Sequence, residues 1–441
     1  MTEDGPRPTG WRARLAGLRM DLTPLRTSRD FRLLFWAGTV FYLGGMVTYV
    51  AMPFQIYQLT GSNFAVGAVA LVELVPLVVF GLYGGALADH VDRRSMLVWT
   101  GVAQVLLTAV LLVNAALDQP RLSLIYVDAG LLAVAQSLQR PSRDALIPRV
   151  VRHDELAAAI SLNSFGVQIG LLLGPALGGV MVSNVGIPAA YAVDVTGLAL
   201  ATAFGAALRR YPPVDRSNPP SWASIVSGLR YAVGRRDLLG TYVIDMAAMF
   251  FAMPIVLFPA LAQDIFRRPE LLGVLYTAEV VGSMVATLTS GWTRRFHHHG
   301  RAVVVTSMGY GASVALMGLA PDIWLAIGCF ALAGACDMVS GLFRGLIWHQ
   351  TIPDEMRGRM AGVEMLGYSL GPLGGQARSG VVADATSVRT SIVSGGMLCV
   401  VGVAATTAWL REFWIYDDRT DEHAVRERTV RSARAAAADE A

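Results

Sequence analysis

Apolar residues run along this chain in blocks of about 20, the number needed to cross ~30 Å of hydrocarbon at 1.5 Å per residue. Twelve blocks can be drawn. They cover 33–57, 66–88, 95–115, 122–139, 156–182 and 188–208 in the first half, and 238–261, 271–292, 302–320, 323–343, 359–383 and 390–410 in the second. The pattern predicts an all-α membrane protein with 12 transmembrane helices.

The polar breaks between blocks alternate in charge. The N-terminal tail, the loops after spans 2, 4, 6, 8 and 10 and the C-terminal tail together hold 31 of the 36 arginines. The opposite loops hold Arg121, Arg267, Arg268 and Arg389, and Arg378 lies inside a span. By the positive-inside rule the arginine-rich side is cytoplasmic and both termini are inside. The widest break, 209–237, opens with Arg209, Arg210, Pro212, Pro213, Pro219 and Pro220, which cannot propagate a helix. Trp222, Ile225, Val226, Leu229 and Val233 then make one apolar face, a helix expected on the cytoplasmic surface. The chain therefore divides into a tail at 1–32, a six-helix bundle at 33–208, a linker at 209–237, a second bundle at 238–411 and a tail at 412–441. Trp11, Leu15, Leu18 and Leu22 recur at helical spacing among arginines, compatible with a helix on an anionic leaflet and equally with a disordered tail.

The two halves repeat. Arg140 and Pro148 correspond to Arg344 and Pro353 at offsets of 204 and 205, Gly85 to Gly291 at 206, and Gly166 and Gly170 to Gly367 and Gly371 at 201. Their common order indicates a duplicated six-helix unit, the arrangement of alternating-access transport around a midplane site.

Composition narrows the class. Of 441 residues 54% are hydrophobic and 16% charged, against about 25% charged in soluble domains. The chain has no lysine, so it can build no P-loop, kinase or pyridoxal site. Cys329, Cys336 and Cys399 are scattered in apolar segments and argue against a disulfide framework or zinc. No cofactor or metal is expected. His297, His298 and His299 have no cysteine or carboxylate close in sequence, and the Gly-x-Ser-x-Gly at Gly367–Gly371 lies inside a hydrophobic helix rather than after a strand. The chain is not expected to be an enzyme.

The loop after span 2 reads Gly84-Gly85-Ala86-Leu87-Ala88-Asp89-His90-Val91-Asp92-Arg93-Arg94. It resembles the signature loop of the major facilitator superfamily. Gly85, Asp89, Arg93 and Arg94 match, and Asp92 stands where glycine is usual. A glycine there lets two helices approach, and a carboxylate can meet an arginine or a helix N-terminus, a cytoplasmic gate. The second copy is degenerate, with Arg295 in the acid's place. Span 5 carries Gly170, Gly174, Pro175, Gly178 and Gly179, similar to an element of the exporter branches; such a face permits sliding against the opposite bundle, and equally plain small-residue packing. Asp30-Phe31-Arg32, Leu59-Thr60-Gly61-Ser62 and Asp354-Glu355-Met356-Arg357-Gly358-Arg359 extend the resemblance over 30–410, toward the subgroup with the enterobactin (siderophore) exporter and macrolide-efflux proteins.

The resemblance implies two pseudo-symmetric six-helix bundles in a bacterial inner (plasma) membrane. It also implies a monomeric, proton-driven antiporter exporting an amphipathic small molecule, a siderophore or, alternatively, a macrolide or other drug in multidrug efflux. Facilitated uptake and a non-transporting sensor or scaffold are the rivals. The expected partners are the substrate, protons and the lipid bilayer, not nucleic acid.

Ionisable residues inside spans are costly and point to function. Glu73 and Glu279 are repeat-related at 206, about ten ångströms from the outer ends by helical rise. They are candidates for proton coupling, with Asp245 next; hydrogen bonding across helices is the competing reading for each. Asp337 and Arg344 share a helical face and are expected to pair structurally. Asp194, Glu364 and Arg378 are read as structural. Gln55, Gln136 and Gln168 are candidate polar groups of the cavity.

Overall fold

The computed structural model describes residues 21–211 and 222–439, apart from the side chains at 81–90, 222–225, 294, 354–355, 357–359, 361–362 and 434–439. Trp11, Leu15 and Leu18 and the linker prolines lie outside the described residues.

Twelve long helices carry the fold. In the first bundle they are α1 (Arg29–Thr60), α2 (Asn63–His90), α3 (Arg93–Ala115), α4 (Leu122–Asp144), α5 (Leu156–Asn184) and α6 (Ile187–Ala206). In the second they are α7 (Arg236–Phe251), α8 (Leu272–Leu288), α9 (His299–Leu319), α10 (Ile323–Thr351), α11 (Asp354–Ala385) and α12 (Val388–Trp409). Eleven spans are long and apolar enough to cross a membrane among the described residues. The twelfth helix, α11, is long enough at 32 residues but is diluted by glycines, Glu364 and Arg378.

Local chemistry sets the helix ends. The Ser28 hydroxyl accepts from Phe31 N at 3.1 Å and starts α1, and Gly61 ends it at φ +62°, a conformation that only glycine adopts freely. Asp322 caps α10 by accepting from Trp324 N and Leu325 N at 2.9 and 3.1 Å. The span predicted at 238–261 is broken. Helix α7 stops at Phe251, and the chain goes on through short turns at Ile255–Leu257 and Phe258–Ala260 and a π-turn at Leu261–Ile265. Pro254 and Pro259 cause the break, since neither can donate a helical hydrogen bond. Freed carbonyls inside a membrane need other donors. Tyr310 Oη of α9 donates to Ala252 O at 3.0 Å, and Ser379 Oγ of α11 donates to Met253 O at 2.8 Å.

Packing respects the repeat. Within the first bundle α1 packs on α5 and α6, α2 on α4 and α3 on α6; within the second α7 packs on α11 and α12, α8 on α10 and α9 on α10 and α12. The bundles meet where α2 crosses α11 and α5 crosses α8. The largest apolar core runs unbroken across this seam, from Val47 and Val50 of α1 through Leu275 and Tyr276 of α8 to Phe330 of α10. The linker helix Trp222–Val233 lies against α11. Its inner side is Gly228 and Ala232, while Val226, Leu229 and Val233 are turned outward.

Candidate functional site

Both crossings between bundles are built on glycine. A Cβ on Gly179 of α5 would sit 2.3 Å from Gly273 N of α8, and one on Gly273 would sit 2.5 Å from Pro175 O. A Cβ on Gly380 of α11 would meet Asn63 O of α2 at 2.4 Å, and one on Gly67 would meet Gln376 O at 3.0 Å. Gly67 and Gly273 are repeat-related at 206, and Gly179 and Gly380 at 201. These contacts lie in the halves of the helices nearer the arginine-poor loops. Hydrogen bonds join the bundles on that same face. Tyr57 Oη of α1 donates to the Asp264 carboxylate, and Asp384 at the end of α11 binds the start of α2.

Behind this closed face runs an aromatic seam. Tyr49 of α1 meets Tyr276 of α8 edge-on at 5.8 Å, Tyr276 meets Phe258 at 5.0 Å, and Phe258 meets Phe330 at 5.1 Å. Glu73 of α2 and Glu279 of α8 both lie within electrostatic reach of Tyr49. The two repeat-related glutamates thus share one tyrosine neighbour where the bundles touch. The Glu279 backbone packs against Gly334 of α10, where a Cβ would be 2.1 Å from Glu279 O.

A second cluster lies in the second bundle, toward the arginine-rich face. The Arg344 guanidinium of α10 contacts the Asp245 carboxylate of α7 and reaches Asp337 at 3.4 Å. Glu364 and Tyr368 of α11 are within electrostatic range of Arg344 and hydrogen-bond each other. Tyr242 of α7 stacks on Trp348 at 5.2 Å, and Trp348 Nε1 donates to Thr241 Oγ1 at 2.8 Å, holding α7 to α10 beside the cluster. One guanidinium therefore faces Asp245, Asp337 and Glu364 from three helices.

A family model described as a transmembrane secretion effector matches residues 20–433. The chain belongs to that family. It is a major facilitator superfamily transporter. Similar proteins include the enterobactin exporter EntS of Salmonella typhi, 26% identical over 87% of this chain and 93% of that protein. EntS of Salmonella paratyphi A is 27% identical, with 87% and 93% covered. Among solved structures, a POT family transporter in complex with 5-aminolevulinic acid superposes with a TM-score of 0.70 at 10% identity, over 88% of this chain and 97% of that one. The POT family transporter PepTSo gives 0.69 at 12% identity, over 88% and 99%. These two likenesses show the fold.

Within this transporter the residues expected from sequence are distributed unevenly. Gly170, Gly174 and Gly178 do not face the opposite bundle. A Cβ on Gly170 would strike Tyr42 at 2.5 Å, on Gly174 Met46 at 2.4 Å and on Gly178 the Val47 backbone at 3.1 Å, all on α1 of the same bundle. Pro175 and Gly179 of that motif meet α8 at Gly273. The second-half echo behaves alike, with Gly371 and Gly375 packed on Met249 of α7. Gln55 points into the first bundle in this structure. It is 2% exposed, and its Oε1 accepts from Tyr191 Oη at 2.7 Å inside the first bundle. Gln168 is exposed on α5, in line with Ser161 and Ser164, and Gln136 is exposed on α4.

The Asp89 side chain and the packing around Gly85 lie outside what is described. Arg93 Nη1 donates to Ala145 O at 2.8 Å, and Arg94 Nε donates to Ala206 O at 3.2 Å, so these two bind the ends of α4 and α6 in their own bundle. Asp92 accepts from Ser95 Oγ at 2.8 Å and Tyr211 N at 3.3 Å, a use for a carboxylate where the superfamily pattern has glycine.

Two groups escaped the sequence reading. Asp128 of α4 is 3% exposed, lies in range of Tyr191 and shares that neighbour with Asp194, whose carboxylate accepts from Thr48 Oγ1 at 2.5 Å. An acid inside the apolar block 122–139 is the signal that would have found it. Arg143, near the C-terminal end of α4, is the second. It is buried, donates to Tyr42 Oη at 2.8 Å and lies 4.7 Å over that ring. With Phe41 and Gln139 it lines a cleft between α1, α3, α4 and α6, inside one bundle rather than between the two.

Proposed function

We propose that this transporter is a proton-driven exporter of an amphipathic small molecule, working in the cell membrane with its arginine-rich face in the cytoplasm. The observation that carries the reading is that Glu73 and Glu279 both lie within electrostatic reach of Tyr49, which meets Tyr276 across the seam where the bundles must part. A proton taken up there would cancel charge at the contact that alternates, so loading and bundle movement are coupled. The Arg344 cluster supports the same reading by charge balance. One guanidinium offsets one of three carboxylates, which leaves places for protons or for a cationic group of the cargo.

Several features support the cargo class. Similarity to the enterobactin exporters favours a siderophore; an aromatic seam of Tyr49, Tyr276 and Phe258 suits a catechol or other flat lipophilic ring. A macrolide or other drug is the second reading, supported by the same aromatic seam. The protein acts as a monomer, and its motion is the rocking of one bundle on the other.

The test is efflux into inverted vesicles under an imposed pH gradient, with enterobactin and erythromycin offered separately. Wild type should concentrate one of them in a gradient-dependent way. Glu73→Gln and Glu279→Gln should keep binding but lose the gradient dependence. Normal gradient-driven pumping by the double variant would remove both glutamates from the coupling path.

A further inference from the structure

We propose that Asp384 is the latch of the arginine-poor gate: a carboxylate of the second bundle that caps the first helix turn of α2 in the other bundle, and that must let go each time this face opens. Asp384 Oδ1 accepts from Asn63 N at 2.8 Å and from Asn63 Nδ2 at 3.1 Å. Its Oδ2 accepts from Ser62 Oγ at 2.5 Å and from Phe64 N at 3.1 Å. Helix α2 begins at Asn63, so the two backbone donors belong to the first turn, whose N–H groups have no partner inside their own helix. Such groups are usually capped by a side chain just before them. Ser62 does this only in part, accepting from Ala65 N at 3.1 Å while its hydroxyl hydrogen is given to Asp384.

The placement makes sense only while the bundles touch. Asp384 lies in the last turn of α11, where the helix dipole disfavours a negative charge. The N-terminus of α2 reverses that penalty. Gly380 and Gly67 allow it, because their missing side chains let α11 and α2 come close enough for the carboxylate to reach across. The latch is also one-sided. The repeat-related crossing, α5 against α8, has no carboxylate in the last turn of α5, which ends Met181-Val182-Ser183-Asn184. The residue before α8, Leu271, caps nothing with its side chain. The only other hydrogen bond between bundles on this face within the described side chains is Tyr57 to Asp264. Separating the bundles here leaves the α2 N–H groups and the carboxylate to water, and Asp384 therefore sets the balance between closed and open forms rather than the stability of either bundle.

The test reads the distance between bundles and needs no substrate. Spin labels are placed on Asp118→Cys and Pro321→Cys, on arginine-poor loops of the two bundles, with Cys329, Cys336 and Cys399 replaced by alanine, in lipid nanodiscs. Wild type should show mainly the short distance. Asp384→Ala should raise the ratio of long to short by about tenfold to a hundredfold, the range for hydrogen bonds to a charged group. Asp384→Asn, which keeps one acceptor, should fall between, and Ser62→Ala should move the same way by less. Asp194→Asn, a buried acid within one bundle, should leave the distribution alone. An unchanged distribution in Asp384→Ala overturns the proposal, as does an equal shift in Asp194→Asn. Should Asp384→Ala fail to fold, the Ser62→Ala distribution decides in the same two ways.

Discussion

Removing Arg344 exposes what the polar cluster of the second bundle is for. Its side chain is 4% exposed and that of Asp245 9%, so water does little to screen the pair. Arg344→Leu would leave the Asp245 charge buried without its partner, a change worth about 3–5 kcal/mol in comparable buried pairs. For a bundle of this size that corresponds to a melting temperature lower by roughly 10 °C. Asp245→Asn should cost less, because Asp337 remains 3.4 Å from the guanidinium. The double variant Asp245→Asn/Arg344→Leu should recover most of the loss, with a coupling of about 2 kcal/mol or more. The assay is thermal unfolding in detergent followed by tryptophan fluorescence, with gradient-driven efflux measured on each variant. If Arg344→Leu melts with wild type, or if the two single losses simply add in the double variant, the ion pair carries no weight and the cluster argument fails. A double variant that is stable but no longer pumps would assign the cluster to transport rather than to folding.

Glycine substitutions separate the seam from the interior. Gly273→Ala places a Cβ against Pro175 O at 2.5 Å across the bundles, so relief comes from parting them, and labelled transporter should shift toward the open arginine-poor face with little change in melting. Gly170→Ala places its Cβ against Tyr42 at 2.5 Å within one bundle, where overpacking costs about 1–3 kcal/mol and should lower the melting temperature instead. At alkaline pH, Tyr211 matters. Burial and its hydrogen bond to Asp30, at 2.6 Å, push its hydroxyl up to about 12. A raised value means that its contribution is whole below the ordinary tyrosine value of 10 and is lost as pH climbs through about 12. Tyr211→Phe should be less stable than wild type near neutrality, and the difference should shrink over that window in unfolding curves taken at stepped pH.

Much of the architecture could be read from the chain because a bilayer enforces it. Twelve apolar blocks became twelve long helices, and most predicted ends fell within a few residues. The larger errors occur where helices continue as polar cylinders past the apolar block. Helix α4 runs to Asp144 and α10 to Thr351, beyond predicted ends at 139 and 343. Hydropathy also misses a backbone break, so Ala252–Pro254 looked like uninterrupted span; only the prolines hinted at it, and the repair by Tyr310 and Ser379 is a tertiary fact. Side-chain direction was the main blind spot. A stripe of glycines says that something comes close, not which helix does. The stripe in α5 turned out to meet α1. Glu73 and Glu279 could be paired by the repeat, but their common neighbour Tyr49 could not, since nothing in the sequence brings Tyr49 of α1 to Tyr276 of α8.

The duplication and the charges speak to different parts of the transport cycle. Repeat-related glycines give the two crossings equivalent close contacts, both on the arginine-poor face. The polar groups break that symmetry. The α2–α11 crossing carries Asp384 and the α5–α8 crossing carries no counterpart. Arg344 is buried among carboxylates, while its repeat mate Arg140 is 78% exposed beside Asp144. With matched glycine contacts and unmatched charges, the tendency of this face to open is set electrostatically. Here the hydrogen bonds of Tyr57 with Asp264 and of Asp384 with the start of α2 hold the arginine-poor face shut. How readily this face opens is then a property of a few carboxylates placed on matched glycine contacts.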